Sequence, residues 1–111
     1  MPTIADRLGK AASRLELDQV DIARVLETTP RTVARWLKNE TSPRHEARER
    51  VLELVAVLER QSATLKPESA QDWLFTPNAA LDHHKPVDLI RQGEFRRVLG
   101  AVDTLAEGVF V

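Results

Sequence analysis

Apolar residues recur along this chain at helical spacing, with no convincing run of the strict alternation that a half-buried strand needs. Ile4, Leu8, Ala11, Ala12 and Leu15 share one face of a first helix. Asp18 stands ahead of Val20-Asp21-Ile22-Ala23, and Asp21 follows three residues on, which reads as an N-cap with an acid in the first turn. Ile22, Ala23, Val25 and Leu26 then predict a short amphipathic helix. Thr29-Pro30 marks the next start: Thr caps, and Pro lacks an N–H at a position where that group has no helical partner. Val33, Trp36 and Leu37 form the apolar face of this third helix, and Asn39-Glu40-Thr41 reads as loop. Ser42-Pro43 repeats the start signal, so a longer helix is expected over about 43–62. Its stripe of Val51, Leu54, Val55 and Leu58, continued by Leu65, is widened by Leu52, Ala56 and Val57. A stripe so broad predicts contact on two sides, as in a central helix between two lobes.

The second half is broken up by prolines. Lys66-Pro67 opens it, and Ser69 with Asp72 resembles a capping box ahead of Trp73, Leu74 and Phe75. Thr76-Pro77 ends that helix and leads into a turn over 78–81. Lys85-Pro86 starts a short helix with Val87, Leu89 and Ile90, which Gly93 breaks. The last helix is the most regular: Phe95, Val98, Leu99, Val102, Leu105 and Ala106 lie on one face. Gly108 is a natural stop, able to take the left-handed conformation, and Val109-Phe110-Val111 follow as an apolar tail. The expectation is an all-α protein of seven or eight helices.

Composition narrows the chemistry. The chain has 111 residues, 42% hydrophobic and 30% charged, too apolar for disorder and about right for one domain or two small lobes on one core. Without a cysteine, disulfide scaffolds, thiol catalysis and thiolate metal sites are excluded. Four glycines leave no Gly-rich phosphate loop. The segment 1–7 lacks a basic-then-apolar leader layout, and a cytoplasmic protein is expected. Asp82-His83-His84 puts adjacent imidazoles in different directions with His45 remote, so no metal site is expected, and no carboxylate pair suggests catalysis.

Charge is uneven beneath a net of −1. Residues 1–50 carry ten Lys/Arg against eight Asp/Glu; residues 51–111 carry six against nine. Between Thr28 and Asn39 stand Arg31, Arg35 and Lys38 with no acid, a stripe able to face phosphates. On a bare helix such a stripe is as readily a solvated face.

Residues 19–26 and 29–36 together resemble a helix-turn-helix of the Xre/Cro kind. Ala23 supplies the small residue where two short helices approach; Ile22, Leu26, Val33, Trp36 and Leu37 anchor them. Thr29, Arg31, Thr32, Arg35 and Lys38 are the candidate DNA contacts, side chains of the kinds that meet phosphates and guanine edges. Where such motifs often carry Gly, this turn has Glu27-Thr28, so a different turn conformation is expected, with an acid near the phosphates.

Further on, Trp73-Leu74-Phe75-Thr76-Pro77-Asn78, Leu81, Lys85-Pro86-Val87-Asp88-Leu89, Gly93-Glu94, Val98 and Ala106-Glu107-Gly108-Val109-Phe110-Val111 resemble the toxin-binding domain of MbcA/ParS/Xre-type antitoxins of RES-domain toxin–antitoxin systems. The resemblance implies a non-enzymatic antitoxin without a cofactor. It would bind an NAD-degrading RES-domain toxin, occlude the toxin's active site with its C-terminal end, and repress its own operon. The implied layout is an Xre/Cro-like helix-turn-helix half (1–42), a central linking helix (43–66) and a helical toxin-binding half (67–111). The implied partners are the cognate toxin, operator DNA and further copies of the chain within the complex. Lys85, Asp88, Arg91, Arg97, Gly108, Val109, Phe110 and Val111 become the candidate toxin contacts, with Arg96 a further polar neighbour. The competing reading is a stand-alone helix-turn-helix regulator whose C-terminal half dimerises or senses a ligand.

Overall fold

The computed structural model describes residues 2–106. Over these residues the chain forms α1 (Ile4–Arg14), α2 (Gln19–Leu26), α3 (Pro30–Leu37), α4 (His45–Ser62), α5 (Pro67–Leu74), a 3-10 turn (Ala79–Leu81), α6 (Pro86–Arg91) and α7 (Phe95–Ala106), and no strand. The all-α expectation holds. The tail 108–111, expected to carry the toxin plug, lies outside the described residues.

The first three helices are started by side chains close in sequence. Thr3 Oγ accepts from the Asp6 N–H, and Asp6 accepts from the Thr3 N–H, both at 3.0 Å. Asp18 accepts from the amides of Val20 and Asp21, and Asp21 accepts in return from the Asp18 N–H. Thr29 accepts from the Thr32 N–H at 3.1 Å, with Pro30 in the first turn. Each bond satisfies an amide that the helix itself leaves without a partner. The Asn39 side-chain amide and the Thr3 N–H hold the Asp6 carboxyl below the usual aspartate range. The Asp21 N–H does the same for Asp18.

Two expected starts move. The long helix begins at His45, because Pro43 is buried in the preceding loop and Arg44 takes the cap position without a side-chain bond. The Ser69-Asp72 pair is not a capping box. Pro67 occupies the first turn of α5, Lys66 stands at its cap, and Ser69 lies inside the helix.

One buried cluster runs through both halves, from Ala5 and Leu8 to Val98 and Ala101. Its spine is α4, which packs against α1 and α7 and also reaches α2, α5 and α6. Val51, Leu54, Val55, Val57 and Leu58 are buried there, while Leu52 faces outward, 40% exposed, and does not widen the stripe. Gln61 is fully buried on the same helix and its Nε2 donates to the Ala70 carbonyl at 3.4 Å, joining α4 to α5. Burying a Leu side chain is worth about 1.5–3 kcal/mol, so Leu54 and Leu58 contribute substantially to the core that both halves share.

Candidate functional site

The α3 face is assembled by the turn before it and the helices beneath it. Ala23, Val25 and Ile22 are buried on α2, Val33 and Trp36 on α3, and Leu26 is only half-buried. Leu37 Cδ2 lies so close to Gly9 that a β-carbon there would meet it at 3.3 Å, so glycine lets α1 and α3 approach. Asn39, left-handed at φ 58°, bonds Thr3 and Asp6 and ties the end of α3 to the start of α1. The turn at 27–28 overturns its expectation. Glu27 itself adopts φ 54°, ψ 46°, the left-handed conformation glycine takes most easily, with the Glu27 and Thr28 amides both donating to the Ala23 carbonyl. Its carboxylate lies 3.6 Å from the Arg91 guanidinium, which offsets the acid expected near phosphates.

On the outer face Arg31, Arg35 and Lys38 are exposed. Among the described residues Arg35 has only a 4.0 Å contact to Glu40, with both side chains more than half exposed, so it remains available to a phosphate or base edge. Thr29 and Thr32 share a 2.9 Å hydroxyl contact besides the cap bond. One hydroxyl donates to the other, so one O–H proton of the pair is not used in this contact.

The C-terminal candidates sit around a tight corner. Asn78 accepts from the Ala80 N–H and pairs by backbone with His84, while Asp82 and His83 are both left-handed. Asp82-His83-His84 thus makes a turn, leading directly to exposed Lys85 at the cap of α6. Arg97 of α7 bonds Asp82 at 3.1 Å, an exposed link from α7 to this corner, and Glu94 at 3.3 Å. Asp88 is bound by Arg91 at 3.3 Å. Arg91 itself does not face outward: its Nε donates to the Val25 carbonyl at 3.2 Å and its Nη2 to the Arg24 carbonyl. On the neighbouring surface Ser69, Asp72, Trp73, Thr76, Pro77 and Asn78 line an open depression of about 320 Å³. Trp73 is half-buried there, packed against the core on one side.

The model of the antitoxin Xre/MbcA/ParS C-terminal toxin-binding domain matches residues 50–108, the stretch holding this corner and depression. The chain belongs to the Xre/MbcA/ParS antitoxin family. The match begins inside α4, so the family segment includes most of the helix that both halves share. Beyond it, the antitoxin is 38% identical over 108 residues to the mycobacterial cidal antitoxin MbcA of Mycobacterium tuberculosis, covering 97% of this chain and 96% of that protein. The MbcA of Mycobacterium bovis gives the same figures. In three dimensions the antitoxin is similar to a chain in the crystal structure of the M. tuberculosis MbcT–MbcA toxin–antitoxin complex, with a TM-score of 0.87, 37% identity and complete coverage of both chains.

Proposed function

We propose that this protein neutralises a RES-domain, NAD-degrading toxin by occluding its active site, and that it represses its own operon. The observation that carries the reading is the full-length likeness to a chain solved within a toxin–antitoxin complex. In this reading residues 1–42 bind DNA, 43–66 link and 67–111 hold the toxin. The protein is a cytoplasmic, non-enzymatic inhibitor that works as an oligomer. Arg31, Arg35 and Lys38, with the Thr29–Thr32 pair, meet phosphates and guanine edges of the major groove, and two copies match a two-fold operator. Lys85, Asp88 and Arg97 form the charged rim of the toxin contact, and Gly108, Val109, Phe110 and Val111 enter the toxin's cleft.

Deleting residues 108–111 tests inhibition directly. The truncated protein should still co-elute with purified toxin on size exclusion, while NAD⁺ consumption by the bound toxin returns. Full inhibition by a truncated protein that still binds would place occlusion in the helical body instead. For DNA, Arg35→Ala should weaken operator binding by ~1–3 kcal/mol in a gel shift. An Arg31/Arg35 double variant that shifts operator as well as the wild type would refute the α3 assignment.

A further inference from the structure

The ends of α1 and α2 are closed from the other half of the molecule. Past α1, the Leu15 and Glu16 carbonyls both accept from Nε2 of Gln71 on α5, at 3.2 and 2.9 Å. At the end of α2, the Arg24 and Val25 carbonyls both accept from the Arg91 guanidinium of α6. The Arg24 guanidinium lies over the Phe75 ring, 4.2 Å from its centre, and Phe75 follows Gln71 by four residues. Carbonyls at a helix end have no partner within the helix, and they carry its negative pole. A guanidinium is suited to both needs: its planar fork reaches two carbonyls and its charge opposes the dipole. Asp88 and Glu27 brace that guanidinium at 3.3 and 3.6 Å.

We propose that Gln71 and Arg91 are positioning residues for DNA recognition, anchoring α1 and α2 to the toxin-binding region and so orienting α3, which packs on both. The proposal rests on the DNA-binding reading of α3. It makes residues 1–42 dependent on the family segment for their geometry, although their N-terminal caps are their own.

The test uses the full chain, with Arg91→Lys and Gln71→Ala. Lysine keeps the charge and loses the fork. Amide hydrogen exchange is followed along the chain at a temperature where wild type and variants are fully folded. The amides of Glu27 and Thr28, and those of α3, should exchange about tenfold faster in Arg91→Lys, as for one lost charge-assisted bond pair, with α7 unchanged. In Gln71→Ala the acceleration should centre on residues 15–17. Operator affinity, measured with a duplex from the promoter of its own gene, should fall about tenfold in Arg91→Lys, with the same salt slope because the phosphate contacts are unchanged. Unchanged exchange at 24–29, or equal acceleration in α2 and α7, overturns the positioning role. So does local loosening without loss of operator affinity. A wild-type protein that binds no operator refutes the DNA reading, while the exchange pattern still decides whether these side chains anchor α1 and α2.

Discussion

The helices before residue 42 and the proline-led helices α5 and α6 after residue 66 are started in different ways. Thr3, Asp18 and Thr29 each cap their own helix by a side-chain bond. Lys66 and Lys85 stand at the caps of α5 and α6 with no such bond, each followed by a proline. A side-chain cap stabilises a helix wherever it sits, whereas proline only avoids a penalty and presets one dihedral. The N-terminal helices therefore carry much of their definition locally. The C-terminal ones depend on burial of Leu74, Leu89, Ile90 and Val98 against α4 and each other. The dependence reverses at the carbonyl ends, where Gln71 and Arg91 complete the N-terminal pair. The halves differ in local encoding, and the carbonyl ends of the N-terminal pair are closed from the C-terminal half.

The strongest challenge to this contrast is Leu54→Ala. Leu54 is buried on the helix common to both halves, and its truncation should cost ~2–5 kcal/mol. Urea unfolding followed by Trp36 and Trp73 fluorescence and by circular dichroism should shift as one transition. Two separated transitions would mean the locally capped half stands alone.

Removing a cap tests the contrast itself. Thr29→Ala should lose about 1 kcal/mol, because the Thr32 amide is left without its partner. Lys66→Ala, at a cap without a bond, should stay within about 0.5 kcal/mol of wild type. Equal losses in thermal melts would erase the distinction.

The glycines sharpen it further. Among the described residues, nothing lies within 4 Å of a β-carbon built on Gly100, in the middle of α7. Gly100→Ala should gain ~0.5–1 kcal/mol from helix propensity. Gly9→Ala should fail to gain, since Leu37 would meet the new methyl at 3.3 Å. The melting midpoints of the two variants should move apart.

Acid gives the smallest effect. Asp6 and Asp18 are held below the ordinary aspartate value by amide donors, Asn39 first for Asp6 and the Asp21 N–H first for Asp18. Their folded values lie below their unfolded ones, so the stability they add is complete above the ordinary aspartate range and is lost as pH falls through it, below about pH 4. Hydrogen exchange at pH 3 should loosen the first turns of α1 and α2 ahead of α7. Asp18→Asn, which keeps a capping oxygen, should remove the pH dependence from α2.

Much of the fold was legible because its signals are local. A cap and the amide it accepts from are two or three residues apart, and helical periodicity shows within two turns. Hence α2, α3, α6 and α7 stand close to where Asp18, Thr29, Pro86 and Phe95 put them. Ser69-Asp72 misled because Pro67 was an equally local start two residues earlier, and only packing chose between them. In the candidate site, the exposure of Arg31, Arg35 and Lys38 followed from helical spacing. The inward turn of Arg91 did not, since its acceptors on α2 are 66 and 67 residues away.

The sequence by itself determined an all-α chain, the side chains that begin its first three helices, and the family of its second half. All are carried by residue identity and short spacing. Tertiary structure alone decided that Leu52 faces outward, that Glu27 takes a glycine's conformation, and that Gln71 and Arg91 close helices they do not belong to. The physical reason is the same in each case. A helix end leaves carbonyls that any suitably placed donor can satisfy, and a broad stripe leaves open which side chains are covered. Neither choice is made until distant segments are packed together.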